Sequence, residues 1–252
     1  MPAAIELKNI SKTFGKLQAV DDVSLDVEEK SVTILIGPNG SGKTTLINVI
    51  SGFYPPDSGH VIFKGIEITG KRPHDIYKLG LARTFQVPAL FWKSGVLENV
   101  QVAKLGNPGE KFSQSLFRSR WAKKEKESVE EAFKILEFVD LLAVWDKQAN
   151  TLSGGQMKLL EIGRALMSGA KTILLDEPIS GVNPTLAHEI FAKLLTLRDE
   201  LGVTFLIVEH RLDVALRYVD TVVAMAYGRL ITSGRADSVL NDPRVIDAYL
   251  GG

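Results

Sequence analysis

The chain has 252 residues, long enough for one large α/β core carrying an inserted subdomain. Lys plus Arg and Asp plus Glu both total 30, and this zero net charge leaves no electrostatic case for nucleic acid or anionic lipid as the main partner. There is no cysteine, which excludes disulfide, thiol and iron–sulfur chemistry, and no run reaches the roughly 18 apolar residues that spanning a membrane requires.

In chain order, the start (Met1-Pro2-Ala3-Ala4-Ile5-Glu6) lacks the basic and apolar pattern of a leader. Residues 3 to 30 alternate as strands, with Val20, Val23, Leu25 and Val27 spaced for one buried face. The apolar run Val32-Thr33-Ile34-Leu35-Ile36 then leads into Gly37-Pro38-Asn39-Gly40-Ser41-Gly42-Lys43-Thr44-Thr45, a phosphate-binding P-loop at the end of a buried strand. Glycine at 37, 40 and 42 lets successive N–H groups turn inward towards phosphates. Lys43 brings a point charge to the β- and γ-phosphates, and the Thr44 hydroxyl can ligate Mg²⁺. Thr45-Leu46-Ile47-Asn48-Val49-Ile50 reads as a helix whose N-terminal dipole faces the anion. The loop alone leaves GTPases, kinases, helicases and transport ATPases open.

Residues 59 to 68 read as a hairpin turning at Lys64-Gly65, and with the first strands they predict an antiparallel layer over about 3–30 and 59–70. From about 88 to 165 the strand signal fades. Val129, Ala132, Phe133, Leu136 and Val139 keep helical spacing there, which predicts a helical insert. Leu90-Phe91-Trp92 either line a groove for a partner helix or pack into that insert. The stretch from Lys104 to Lys126 is the least core-like. It holds Gly106, Pro108 and Gly109, then a basic run (Arg118, Arg120, Lys123, Lys124, Lys126) broken by Phe117 and Trp121. It reads as a solvated face, with contact to a partner or a membrane surface as the alternative.

Leu152-Ser153-Gly154-Gly155-Gln156 reads as a helix start. Ser153 is the N-cap and Gln156 completes an S-x-x-Q capping box. Gly154 and Gly155 leave the exposed N–H groups approachable, which makes this helix end a second anion site. Such a chain has a reason to dimerise, each site completed by its partner. In Thr172-Ile173-Leu174-Leu175-Asp176-Glu177-Pro178, a buried parallel strand ends in two carboxylates. Asp176 is placed to hold Mg²⁺, directly or through water, and Glu177 can polarise a water for in-line attack on the γ-phosphate. Phe205-Leu206-Ile207-Val208-Glu209-His210 is another buried strand, and a His at its end can hydrogen-bond a phosphate or its attacking water. Strands and helices alternate from Thr172 onwards, as a mostly parallel sheet requires, and there is no internal repeat.

Leu-Ser-Gly-Gly-Gln about twenty residues before Ile-Leu-Leu-Asp-Glu-Pro resembles the signature motif of ABC-type ATPases. The resemblance implies a P-loop (RecA-like) α/β core over about 31–58 and 166–252, beside the antiparallel β subdomain and the inserted helical subdomain of 88–165, in one domain spanning 3–252. It makes Phe14 the aromatic on which adenine stacks, in place of the usual Tyr, and Gln86 the Q-loop glutamine, a Mg²⁺ or water ligand that also senses the permease. It makes His210 the switch histidine. Ser180-Gly181-Val182-Asn183-Pro184 falls at the D-loop, where Asn183 replaces the usual Asp and keeps hydrogen bonding without the charge. Two such subunits would close head to tail on two ATP molecules, each nucleotide between residues 37–45 of one and 153–156 of the other.

Arg83-Thr84-Phe85-Gln86, Leu90-Phe91, Glu98-Asn99-Val100, the 104–126 insertion, Glu209-His210 and the ending Asp247-Ala248-Tyr249-Leu250-Gly251 narrow the resemblance. They are similar to the ATP-binding subunits of branched-chain amino acid importers, a group that also serves urea and short amides. Implied partners are two membrane-spanning permease subunits, a second ATPase subunit (the same or a homologous chain) and, indirectly, a solute-binding protein. The implied place is the cytoplasmic face of the plasma membrane, as a peripheral protein. An export ATPase for lipid or lipopolysaccharide shares the chemistry. Soluble ABC proteins of translation or DNA repair usually carry two cassettes, or long coiled-coil or zinc inserts, and this chain has neither.

Overall fold

The alternating and the continuously apolar runs separate into two sheets. The computed structural model describes residues 2–86, 88–106 and 118–250, with the side chains of 118–122 and 250 excepted. Two compact units result: residues up to 86 together with 171 onwards, and residues 87–170.

In the first unit, Ala3–Phe14 (β1) and Leu17–Glu28 (β2) pair antiparallel, and Val20, Val23, Leu25 and Val27 are all buried. The three-residue step from Val20 to Val23 breaks the period of two. It is absorbed at a bulge where Asp22 takes a φ of 53°, and the adjoining register shift on the paired strand falls at Asn9, with a φ of 51°. Asn9 Nδ2 donates to Asp22 Oδ1 at 2.8 Å, tying the bulge together. Val32–Ile36 (β3) and Lys43–Ile50 (α1) come next, on either side of the glycine-rich loop. Ser58–Phe63 (β4) then adds to the free edge of β1, and Ile66–Glu67 (β5) folds back at Lys64-Gly65, giving the order β2-β1-β4-β5. Lys64 and Gly65 both have positive φ, which fits a tight two-residue turn. Pro73–Lys78 (α2) leads to the short strand Leu81–Arg83 (β6).

The second unit is helical: Val96–Gln101 (α3), Arg118–Phe138 (α4) and Gly154–Met167 (α5). Ala132, Leu136 and Val139 are buried, with Val129 and Phe133 half-buried, as their spacing predicts. A Cβ added at Gly163 of α5 would lie 3.4 Å from Ile135 Cγ2, so α4 and α5 approach closely there. Leu90 is buried, while Phe91 and Trp92 are exposed. Of the 104–126 stretch, Pro108, Gly109 and Phe117 lie outside the described residues, as do the side chains of Arg118, Arg120 and Trp121; Gly251 of the C-terminal marker lies outside them as well.

The first unit resumes with Thr172–Asp176 (β7), Pro184–Leu201 (α6), Thr204–Val208 (β8), Leu212–Ala215 (α7), Thr221–Ala226 (β9), Arg229–Gly234 (β10), Ala236–Leu240 (α8) and Pro243–Leu250 (α9). Every residue of β3, β7 and β8 is buried, the pattern of parallel strands covered on both faces. The six-stranded sheet has the order β10-β9-β3-β8-β7-β6, parallel except for the β9–β10 hairpin. Residues of α1 (Leu46, Ile47, Ile50) cluster with Ile5, Val23 and Phe63 of the antiparallel layer and with Leu174 and Leu206 of the parallel one. This order brings the C-terminal ends of β3, β8, β7 and β6 side by side, the edge where open parallel sheets hold their ligands. No helix among the described residues is long and apolar enough to cross a membrane.

Candidate active site

The loop after β3 is pressed by main chain at two of its glycines. Gly37 has a φ of 151°, and a Cβ there would sit 2.1 Å from the Met225 carbonyl oxygen; at Gly42, with φ of 99°, it would sit 2.3 Å from that of Ala19. Only glycine fits either place. The Gly228 N–H, at the β9–β10 turn, donates to the Ser41 carbonyl at 3.2 Å and buttresses the loop from outside. Inside it, Lys43 Nζ donates to the carbonyls of Gly37 (2.8 Å) and Pro38 (3.0 Å) and to Ser41 Oγ (3.3 Å). Burial pushes the Lys43 ammonium below its ordinary range, and the nearby Glu177 and Asp176 pull it back up. Pro38, Asn39, Gly40, Thr44 and Thr45 complete the turn into α1, and Thr44 is exposed at its first turn.

The adjacent strand ends supply the rest. Glu177 follows β7 with a φ of 50°, uncommon for a residue with a side chain, and its N–H donates to Val208 O at 2.9 Å. That backbone turn carries the carboxylate between two other expected site residues. Gln86 Nε2 donates to Glu177 Oε2 at 3.1 Å, and His210 Nε2 lies 3.3 Å from Glu177 Oε1. Glu209, fully buried, accepts from the N–H of Ile179 (3.1 Å) on one oxygen and from those of His210 (2.8 Å) and Arg211 (3.1 Å) on the other. It therefore locks the chain after Glu177 to the chain carrying His210. The Arg211 guanidinium adds a second tie, donating to Val182 O at 2.8 Å.

Asp176 is buried at the end of β7 and receives a hydrogen bond from Arg83 Nη2 at 3.1 Å. Thr44, Gln86 and Asp176 offer only hard oxygen donors. Among the described residues no group of three or more His, Cys, Asp and Glu could hold a metal by itself. Hard oxygen donors with one carboxylate, Asp176, fit Mg²⁺, which is usually bound through one or two carboxylates together with substrate phosphates and water.

Phe14 is exposed at the end of β1, with Tyr54 edge-on at 5.2 Å between ring centroids and Lys12 Nζ 5.6 Å from its own. An open aromatic face with a cation beside it suits a stacked purine. Asn183 caps α6, its side chain accepting from the Leu186 N–H at 2.9 Å, a task that Asp and Asn perform equally. In the helical unit the capping box forms: Gln156 N–H donates to Ser153 Oγ (3.3 Å), and Ser153 N–H donates to Gln156 Oε1 (3.0 Å). Gly154 is exposed, whereas Gly155 is buried. The same helix grips the peptide of Ala89, whose N–H donates to Glu161 Oε1 at 2.9 Å and whose carbonyl accepts from Arg164 Nη1.

Sequence reasoning assigned no role to Tyr54, Arg83, Glu209 or Tyr249. Burial pushes the Tyr249 phenol above its ordinary range, and the main chain of Gly37 hydrogen-bonds it, so α9 ends against the phosphate loop. The signals were faint: a cation at a strand end, and a Glu one residue before the histidine.

Residues 20–180 match the model of the ABC transporter family, and residues 229–252 match that of the branched-chain amino acid ATP-binding cassette transporters. This chain belongs to the ABC transporter ATP-binding family. A similar ABC protein, the probable branched-chain amino acid transport ATP-binding protein LivG of Archaeoglobus fulgidus, is 50% identical over 98% of this chain and 95% of its own. A solved ABC cassette in its ADP conformation superposes with a TM-score of 0.87 at 49% identity, covering 100% of both chains. A dimeric bacterial ABC cassette superposes at 0.75 with 27% identity, covering 92% of this chain and 98% of that one. The fold is that of an ABC ATPase, a nucleotide-binding ATPase subunit of a transporter.

Proposed function

We propose that this chain is the ATP-hydrolysing subunit of an importer for branched-chain amino acids or related amides, working as a peripheral protein at the cytoplasmic face of the membrane. The observation that carries the hydrolytic part is the Glu177 carboxylate, held between Gln86 and His210 on strand ends beside the phosphate loop. Glu177 takes the proton of the attacking water, and His210 and Gln86 keep the carboxylate aimed and hydrogen-bond the water or the γ-phosphate. Lys43 and the loop N–H groups hold the phosphates, and Phe14 stacks on adenine. Thr44, Asp176 and Gln86 would hold Mg²⁺, whose charge offsets that of the phosphates. The signature helix end, Ser153 to Gln156, meets the nucleotide of a second ATPase subunit in a head-to-tail dimer; that a similar cassette is dimeric supports the dimer. The names of the relatives and the match over the C-terminal tail support the cargo.

The test is Glu177→Gln, purified from its own cell's membranes with ATP and Mg²⁺. The variant should bind ATP with native affinity and hydrolyse it about 10²–10⁴-fold more slowly, the usual worth of a general base. Two multi-spanning subunits and a second ATPase should accompany it. Native turnover would mean that another group activates the water; co-purifying ribosomal or repair proteins with no permease would remove the transport role.

A further inference from the structure

Arg83, at the end of β6, makes a set of contacts that nucleotide binding and hydrolysis, as described above, do not use. Its Nη2 donates to Asp176 Oδ2 at 3.1 Å, and its Nη1 donates to Asn48 Oδ1 (2.5 Å) and Ser51 Oγ (3.1 Å) of the α1 region. The guanidinium lies against two aromatic rings that pack edge-to-face on each other, 5.3 Å from the centroid of Phe53 and 5.2 Å from that of Phe85. The two side chains of the ion pair are only 7% and 10% exposed, and Arg83 Nε is buried without a partner among the described residues. A buried pair is a poor source of stability, since desolvating both charges offsets their attraction. What it does set, strongly, is the charge of its surroundings.

We propose that Arg83 is a positioning residue that serves as the fixed counter-ion of the metal seat, offsetting the Asp176 carboxylate and so limiting how strongly the site depends on Mg²⁺. The proposal rests on the reading of Asp176 as a metal carboxylate. Arg83 and Lys43 between them offset the charges of Asp176 and Glu177, so a nucleotide approaching without metal meets less negative charge than the two carboxylates alone would present. Without Arg83 the seat carries one negative charge more. A metal-free nucleotide is then repelled, and the divalent ion is worth more.

ADP affinity measured in EDTA and in Mg²⁺ gives the metal-dependent gain without turnover. In Arg83→Met that gain should rise by about tenfold, the order expected for one unit charge in partly screened surroundings. Arg83→Gln, which keeps donors for Asn48 and Ser51, should show the same rise, and it serves if the apolar variant fails to fold. Arg83→Lys, with its charge kept, should stay near the native gain. An unchanged gain in the neutral variants, or a lysine variant that moves with them, overturns the counter-ion role. Asp176→Asn separates the two readings: it should reduce the metal-dependent gain, and an undiminished gain there means that Asp176 is no metal carboxylate.

Discussion

At the scale of single residues, Phe14 and Glu209 illustrate opposite ways of being useful. Phe14 is exposed, with Tyr54 edge-on and Lys12 over its ring, and the exposed part of the ring is within reach of a ligand. Phe14→Ala should cost ATP about 1–3 kcal/mol of binding, the usual worth of a base stacked on an aromatic ring, while inorganic triphosphate should bind as before. Equal losses for both would make the ring structural. Glu209 is buried, and its carboxylate fixes the distance between the Glu177 and His210 segments through main-chain N–H groups. Its neighbour His210 was legible as a polar residue ending an apolar run. Glu209 was not, because its partner Ile179 lies thirty residues away and donates through backbone, which no side-chain pattern records. Arg83 was hidden for the same kind of reason: it meets Asp176 across 93 positions only because β6 lies beside β7.

Among the elements, α5 joins two tasks. Its first turn carries the signature sequence, and two turns later Glu161 and Arg164 hold the Ala89 peptide from both sides. Arg164 also lies 5.2 Å from the centroid of the exposed Phe91, so displacing residues 89–91 pulls directly on this helix. Burial raises the Glu161 carboxyl above the ordinary range, and one of its oxygens has no partner among the described residues. A folded-state pKa raised above the unfolded one gives stability that is present at low pH and is lost as pH rises through the folded value. Glu161→Gln, which keeps the acceptor for Ala89, should therefore gain melting temperature over the native chain at pH 8 and gain less at pH 5. A gap independent of pH would show that Glu161 is not the group responsible. The spacing of α4 and the capping box of α5 were plain in the sequence, because both are local. The grip on Ala89 was not, since it needs a loop 72 residues away.

For the molecule as a whole, the parallel order β3-β8-β7-β6 gathers the phosphate loop, His210, Glu177 and Gln86 along one sheet edge. The apolar runs and the acidic pair made that core readable; the order of its strands was not written in any one of them. Two cassettes closing head to tail would need the α5 end to accept a phosphate. Gly154 offers a direct test, because a Cβ there meets nothing within 4 Å and its backbone is unstrained. Gly154→Glu should fold with native stability but place a negative charge where the anion belongs. In the Glu177→Gln background with ATP, sedimentation should find dimers that the added Gly154→Glu change abolishes. Dimers of undiminished affinity would place the subunit contact elsewhere.

The β9–β10 hairpin presses its main chain on the phosphate loop, through Met225 O and the Gly228 N–H, while the side chain at its tip, Tyr227, is 75% exposed. Backbone does the holding, so the tip side chain is free to be exchanged. The chain contains no cysteine, so Tyr227→Cys would be a single thiol at this tip. A fluorophore placed there would report loop movement optically, in real time, from a subunit whose own chemistry it leaves alone.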